Sequence, residues 1–230
     1  MVDILDLIFP KKCVFCGEKG RYFCDDCLKK IRKAELVCPE CEKPEPFGQT
    51  HQNCWRRRGI DGLFSFFVYE GPIRGLIHKW KYGLVRGVEK ELFEVLRESW
   101  ERREEERLVL EKYILEERPV VVPVPLFWYK ENFRGFNQSA LFGKWLANEF
   151  NLNFSDKIVV RKKNVLSQTK LGKEGRRKNV QGIFAVLEEI GEGKFLLVDD
   201  VWTTGATMKE VTSLLKESGG AKVWGVTIAR

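Results

Sequence analysis

Six of the seven cysteines form three Cys-x-x-Cys pairs, and all seven lie within the first 54 residues. A fourth pair with the same spacing has His51 in place of its first cysteine and ends at Cys54. Zinc takes four soft or borderline ligands in tetrahedral geometry, and a tight turn with this spacing supplies two of them. The pattern predicts two structural zinc sites, whose ligands are Cys13, Cys16, Cys24, Cys27, Cys38, Cys41, His51 and Cys54.

The spacing leaves open how the four pairs combine. Sequential pairing places the first two pairs in one site and the last two in the other, whereas a crossed arrangement also gives each site four ligands. Since no cysteine follows Cys54, the pattern indicates a domain boundary close to that residue. We place it near Gly59, which predicts a double zinc-ribbon-like domain over 1–59, here called the zinc head, and a larger domain over 60–230.

The larger domain alternates apolar segments with amphipathic ones, as parallel α/β proteins do. Strands are predicted at four apolar segments, 63–69, 120–122, 194–198 and 223–228. Helices are predicted around Val88, Leu141 and Val211 from the spacing of apolar residues. We predict that the first helix continues into the charged run 101–107, and that this run is a solvated face with ion pairs. The predicted fold class is α/β, with a parallel sheet flanked by helices.

The segment 195–207 carries the most specific chemistry. An apolar strand ends in Asp199 and Asp200 and passes through small hydroxylated residues and Gly205 into a helix. In parallel sheets, ligands bind at the carboxyl ends of the strands. Backbone amides over 203–207, backed by the helix N-terminus, suit a monophosphate. Two adjacent carboxylates suit a pair of ribose hydroxyl groups, which need strong acceptors.

Two further segments are candidates for binding anions. The polar, basic stretch 161–181 is too long for an ordinary connection, so we expect either a mobile lid over the ligand or a solvated surface loop. The turn 134–138 suits an anion or a substrate edge, and an ordinary N-terminal cap is the alternative. His78 is expected to be a helix-surface or half-buried residue rather than a catalytic base.

These segments resemble known families. Residues 195–207 are similar to the 5-phosphoribosyl 1-pyrophosphate motif of type I phosphoribosyltransferases. Similarity to the ComF competence proteins is carried by the zinc head and by several shorter segments, namely 69–74, 79–82, 122–125, 134–138, 168–171, Arg176, Asn179 and Phe184. The resemblance spans nearly the whole chain. It implies a type I phosphoribosyltransferase-like domain that binds 5-phosphoribosyl 1-pyrophosphate together with magnesium.

The resemblance also implies roles for individual residues. It assigns Asp199 and Asp200 to the ribose hydroxyls, and it assigns the loop that follows them to the 5′-phosphate, namely Thr203, Thr204, Gly205, Ala206 and Thr207. Arg134 and Gln168 are further candidates for binding the donor. Arg176 joins Asp199 and Asp200 as a candidate catalytic residue.

Two functions follow from the resemblance. In the first, the protein is a phosphoribosyltransferase, in which a nucleophile attacks C1 of the ribose and pyrophosphate leaves. In the second, it is a competence factor for DNA uptake that binds single-stranded DNA and keeps the phosphoribosyl pocket without transferase activity. The net charge of +7 permits phosphate partners, and the arginines 56–58 either contact nucleic-acid phosphates or form a solvated linker. Other competence proteins are further candidate partners. No acceptor pocket is recognisable.

The N-terminus carries acidic residues where a secretory signal carries basic ones. No apolar run approaches the roughly 20 residues that a membrane span needs. We therefore expect a cytoplasmic protein without a membrane span. In that compartment, paired cysteines more often hold a metal than form disulfides.

Overall fold

The computed structural model of the chain describes residues 11–82, 88–126, 134–162, 182–187 and 190–230. Its strands are β1 (Gly62–Phe67), β2 (Val120–Pro123), β3 (Val159–Arg161), β4 (Phe184–Val186), β5 (Lys194–Val201) and β6 (Lys222–Ala229). Four of them form a sheet with the order β1-β6-β5-β2, and all neighbouring strands in it are parallel. Strands β3 and β4 form a separate antiparallel pair.

The described helices are α1 (Asp25–Leu28), α2 (Gly71–Tyr82), α3 (Val88–Glu101), α4 (Glu104–Glu117), α5 (Gln138–Phe150) and α6 (Ala206–Glu217). A short 3-10 helix covers Gln52–Cys54 in the zinc head. The parallel sheet with helices around it, preceded by a zinc-ribbon region, confirms the predicted fold class.

Both faces of the central sheet are buried. Phe64 and Leu196 pack on one face in a large apolar cluster, and Leu63 and Leu197 pack on the other in a second cluster. A strand that is covered on both faces is apolar at consecutive positions rather than at alternate ones. This double burial explains why β5 and β6 are visible in the sequence as continuous apolar runs.

The zinc head packs against the sheet. Phe23 and Leu36 are buried in the same cluster as Phe64. Backbone hydrogen bonds also join the two parts: the amide of Ala34 donates to the carbonyl of Phe66 at 3.1 Å, and the amide of Leu63 donates to the carbonyl of Gly48 at 2.7 Å. The head therefore covers the outer side of β1, which is an edge strand of the sheet.

The prediction for the charged run 101–107 is wrong at Arg103. The helix ends at Glu101, a second helix begins at Glu104, and Arg103 between them is only 2% exposed. Its guanidinium donates hydrogen bonds to the carbonyls of Ala34, Ser65 and Phe66 at 2.9, 2.9 and 3.1 Å. An edge strand leaves carbonyls without strand partners, and buried carbonyls need a donor. Arg103 supplies that donor, so it is buried although the residues around it are charged.

Candidate functional site

The zinc head contains two compact clusters of metal-ligand side chains. The sulfur atoms of Cys13, Cys16, Cys24 and Cys27 lie within 4.8 Å of one another. The ligand atoms of Cys38, Cys41, His51 and Cys54 do the same. The structure thus groups the pairs sequentially rather than in the crossed arrangement, and it brings His51 into the second cluster.

The distances within both clusters fit zinc. Around a tetrahedral zinc ion, two sulfur ligands lie about 3.8 Å apart, and a sulfur and an imidazole nitrogen lie about 3.6 Å apart. The Sγ atoms of Cys16 and Cys24 are 3.5 Å apart, and Cys41 Sγ lies 3.4 Å from Nδ1 of His51. Hydrogen bonding from the Lys43 backbone lowers the pKa of the Cys41 thiol to about 7, which favours the thiolate form that binds metal. The backbone amide of His51 also points at Cys38 Sγ, at 3.4 Å.

The two predicted acidic residues lie at the carboxyl end of β5. The Ser139 hydroxyl, at the start of α5, donates to Oδ1 of Asp199 at 2.8 Å. Across the site, Nζ of Lys81 in the last turn of α2 lies 2.8 Å from Oδ1 of Asp200. The side chains of Lys81 and Asp200 are 20% and 13% exposed, so this ion pair is largely shielded from water. Each acid is thus held by a different helix.

The two carboxyl groups also influence each other. Burial raises the pKa of Asp199 to about 7, and the charge of Asp200 adds to this rise. The Ser139 hydroxyl and the Lys81 ammonium act in the opposite direction. A carboxyl that stays partly protonated near neutral pH costs little to keep buried, and it becomes a strong acceptor once a ligand hydroxyl or a cation favours its ionised form.

The loop after β5 leads directly into α6. Gly205 is the N-cap residue and has a φ of +68°, in the left-handed region. A Cβ at this position would lie 2.1 Å from the Trp202 ring, so only glycine fits. Trp202 is 4% exposed and packs in the second apolar cluster. The amide of Ala206 lies 3.4 Å from Oγ1 of Thr204, while Thr203 is exposed. The arrangement places backbone amides and hydroxyls at a helix N-terminus, which suits an anion.

Comparison with known proteins agrees with both parts of the chain. Residues 4–55 match the double zinc ribbon domain family, and residues 137–230 match the phosphoribosyl transferase domain family. Competence protein F of Haemophilus influenzae is 27% identical over 234 residues, which cover 96% of this chain and 98% of the relative. Competence protein ComFC of Bacillus subtilis is 28% identical over 222 residues, which cover 93% of this chain and 85% of the relative. The chain therefore contains a double zinc ribbon domain and a phosphoribosyl transferase domain, and it is similar to ComF competence proteins over most of its length. DNA utilization protein YhgH of Escherichia coli, at 28% identity over 94% of this chain and 96% of its own length, is another relative.

The turn 134–138 connects the acids to α2. Arg134 is 7% exposed, its guanidinium lies 4.7 Å from the centre of the Tyr82 ring, and it donates to Oε1 of Gln138 at 3.2 Å. Asn137 caps α5 by accepting a hydrogen bond from the amide of Ser139. The capping alternative for this turn is therefore observed, and a role of Arg134 in binding the donor stays a prediction.

Several predicted site residues lie outside the described residues. Gln168 and Arg176 are among them, as is the stretch 163–181 that contains most of the basic side chains of the predicted lid. Within the described part, Arg161 ends β3 and its guanidinium lies 5.5 Å from the Phe184 ring centre. His78 is exposed and contacts the Tyr82 ring, as expected for a surface residue.

Sequence reasoning missed two residues that contact the acids. Lys81 belongs to a segment that marked the family resemblance, yet no role was assigned to it, and Ser139 was not singled out. The available signal was a lysine at the end of an otherwise amphipathic helix, next to an aromatic residue. Such a signal is weak because most lysines at helix ends are solvated.

Within the part of the chain that the structure describes, no helix has both the length and the apolar character needed to cross a bilayer.

Proposed function

We propose that the protein binds 5-phosphoribosyl 1-pyrophosphate at the end of β5. The observation that carries this proposal is the juxtaposition of Asp199 and Asp200 with the glycine-capped N-terminus of α6, which begins at Ala206, six residues after Asp200. The two acids suit the ribose hydroxyls. The loop over 203–207, with its amides and threonine hydroxyls, suits the 5′-phosphate. The match of 137–230 to the phosphoribosyl transferase domain family supports this assignment.

Magnesium would bind together with the donor. Among the described residues, the only clusters of three or more histidine, cysteine, aspartate or glutamate ligands are the two in the zinc head. Asp199 and Asp200 already have partners in Ser139 and Lys81. A magnesium ion that keeps several waters and is held mainly by substrate phosphates fits such a site. When bound, it would neutralise charge on the pyrophosphate.

The protein's own contribution to a transfer reaction would be positioning and charge. Asp199 and Asp200 would fix the ribose through its hydroxyls, and the start of α6 would fix the phosphate at its other end. This orientation would present C1 to an incoming nucleophile as pyrophosphate departs. Arg134 on the turn before α5, with Gln168 and Arg176, would complete the donor site. We propose that the protein is a phosphoribosyltransferase whose acceptor is still to be found.

Calorimetry with the donor and magnesium tests the donor site. The wild type should bind, and Asp199→Asn combined with Asp200→Asn should weaken binding at least about a hundredfold, roughly 3 kcal/mol, because charge-assisted hydrogen bonds are lost at two positions. Asp156→Asn, at an exposed aspartate outside the site, is the matched control. Retained affinity in the double variant, with unchanged circular dichroism, would place the donor elsewhere. Repeating the titration with candidate nucleobases tests for an acceptor.

We propose a second function in handling single-stranded DNA during competence, alongside or instead of the transfer reaction. The names of the relatives refer to competence and to DNA utilization. In addition, a groove of about 690 Å³ lies between the first cysteine pair and α2. It is lined by exposed Phe15 and Tyr82 and by the cationic side chains of Arg74 and Lys79, with no carboxylate. Aromatic rings beside cations suit a flexible strand, whose bases stack while its phosphates pair.

A second cavity beside the zinc head is lined by acidic rather than basic side chains. It has a similar volume, about 600 Å³, and lies between the head and the start of α4. Four carboxylates line it, those of Glu35, Glu45, Glu105 and Glu106. A polyanion would therefore be directed to the groove at α2 or to the arginines after the head, where Trp55 is 53% exposed.

We further propose that the chain is divided at about residue 59 into a zinc head over 1–59 and a phosphoribosyltransferase-like domain over 60–230. The head would hold two structural zinc ions. We place the protein in the cytoplasm, because a reducing compartment keeps cysteines available for zinc. Other competence proteins are candidate partners there.

A further inference from the structure

The two acids at the end of β5 belong to a closed chain of contacts. Asp199 accepts from Ser139 on α5, and the turn before α5 places Arg134 over the ring of Tyr82. Tyr82 follows Lys81 in the last turn of α2, and Lys81 pairs with Asp200. The series of contacts that starts at Asp199 thus ends at its neighbour Asp200. Through this chain, α2 and α5 are both tied to the same strand end.

Helix α2 is itself held firmly. Its residues Ile73, Leu76, Ile77 and Trp80 are buried in the large apolar cluster. Because these anchors fix the helix on the sheet, the Lys81 side chain starts from a defined position and reaches Asp200 at 2.8 Å. Its neighbour Lys79 lies on the same helix but is exposed. Of the two lysines in this turn, Lys81 is therefore the one whose ammonium group pairs with the acids.

We propose that Lys81 is a positioning residue of the donor site, which orients the Asp200 carboxylate and offsets the negative charge of the acid pair. This inference rests on the proposed binding of 5-phosphoribosyl 1-pyrophosphate. Two carboxylates on adjacent residues repel each other, and a ligand that also carries phosphate groups adds further negative charge. A lysine in direct contact with one acid, and largely shielded from water, reduces that repulsion more than a solvated cation does.

The charged groups around the pair determine its pH dependence. Lys81 faces the acids from α2. From the α5 side come the uncharged Ser139 hydroxyl and, in the preceding turn, Arg134, whose guanidinium lies over Tyr82. Lys81 is one of the groups that lower the pKa of Asp199 against the effect of burial. Removing its charge should therefore move the titration of Asp199 to higher pH.

Three variants separate positioning from other roles. Lys81→Met removes the charge and keeps most of the apolar stem, Lys81→Arg keeps the charge, and Lys90→Met is the control at an exposed lysine of α3, outside both proposed binding sites. Donor affinity is measured with magnesium by calorimetry between about pH 6 and pH 9. We expect Lys81→Met to weaken binding on the order of tenfold at neutral pH, with a smaller loss at the alkaline end. Lys81→Arg should recover most of the affinity, and Lys90→Met should match the wild type.

A second readout does not need the donor. The carboxyl carbon of Asp199, followed by NMR, should titrate at a higher pH in Lys81→Met than in the wild type, with Lys90→Met unchanged. If the wild type binds no donor, the proposed function fails, and this titration still decides whether Lys81 offsets the charge of the pair.

Other outcomes overturn the inference alone. If the wild type binds and Lys81→Met binds equally well at all pH values, Lys81 has no part in the site. If Lys81→Met binds more tightly, the lysine occupies the ligand's place and competes with it. Circular dichroism and zinc content, compared with those of the wild type, verify that each variant is folded.

Discussion

The guanidinium of Arg103 donates a 2.9 Å hydrogen bond to the carbonyl oxygen of Ala34, and the same side chain donates to two carbonyls of β1. Ala34 belongs to the zinc head and Arg103 to the junction of α3 and α4, so one buried cation joins the head to the sheet. The guanidinium also lies 4.6 Å from the centre of the Phe64 ring. Loss of this side chain should therefore lower the stability of both the zinc head and the sheet.

We expect Arg103→Met to destabilise the whole protein by about 2 to 4 kcal/mol, since it removes the guanidinium donor from three buried carbonyls, of which that of Phe66 keeps the amide of Ala34 as a donor. Urea unfolding followed by tryptophan fluorescence measures this free energy. The matched control is Arg102→Met, because Arg102 is the preceding residue and its side chain is 72% exposed. Equal stability of the two variants would mean that Arg103 contributes no more than a surface arginine.

Two zinc ions per chain are expected in protein purified without chelator. Eight ligand atoms form two clusters of the right size, and a head of this length has too little core of its own to fold without metal. Elemental analysis measures the content, and less than one equivalent would contradict the assignment. Cys38→Ser should remove zinc from the second cluster only, leaving about one equivalent.

The acid pair should make the unliganded protein less stable as pH rises. The folded state raises the pKa of Asp199 to about 7, whereas an unfolded aspartate titrates near about 3.9. Between these values the folded protein binds the additional proton, so the contribution of Asp199 to stability falls with rising pH until the folded group has titrated. Asp199→Asn removes this penalty.

Thermal unfolding at two pH values checks this expectation. The midpoint of Asp199→Asn should exceed that of the wild type at pH 8, and the difference should be smaller at pH 5, where the folded wild type keeps its proton. A difference that is the same at both pH values would show that the gain comes from packing or hydrogen bonding rather than from charge.

Single-stranded DNA should bind in a salt-dependent manner through Arg56, Arg57 and Arg58, with Trp55 as a stacking surface. Each phosphate contact contributes about 0.7 to the slope of log affinity against log salt, so replacing all three arginines should reduce the slope by roughly 2. Fluorescence anisotropy over a range of salt concentrations measures the slope. Arg58 pairs with Glu217 at 2.9 Å and would exchange that partner for a phosphate.

The matched comparison is the pair Arg74→Met and Lys79→Met in the groove beside α2. An unchanged slope in the triple variant with zinc still bound, together with a slope reduced by about 1.4 in the groove variant, would place the strand in the groove. If neither set changes the slope, the strand binds elsewhere or not at all.

Much of the architecture could be predicted because it depends on local pattern. The strands β5 and β6 are buried on both faces, so their apolar runs identify them in the sequence. Gly205 before helix α6 and apolar residues at helical spacing within it predict this helix from the sequence. The continuous helix predicted through 101–107 was wrong because Arg103 acquires its role only from the carbonyls of a strand far away in the sequence.

The candidate zinc ligands and the acid-bearing loop are recognisable in the sequence alone, because both consist of residues close together in the chain. A Cys-x-x-Cys turn or a strand followed by a glycine-capped helix needs no distant partner to be recognised. The folded structure was needed to show that the cysteine pairs combine sequentially, that Lys81 pairs with Asp200 across 119 positions, and that Arg103 joins the head to the sheet. These contacts depend on how helices and strands are placed in space, and the burial that makes them strong exists only after the chain has folded.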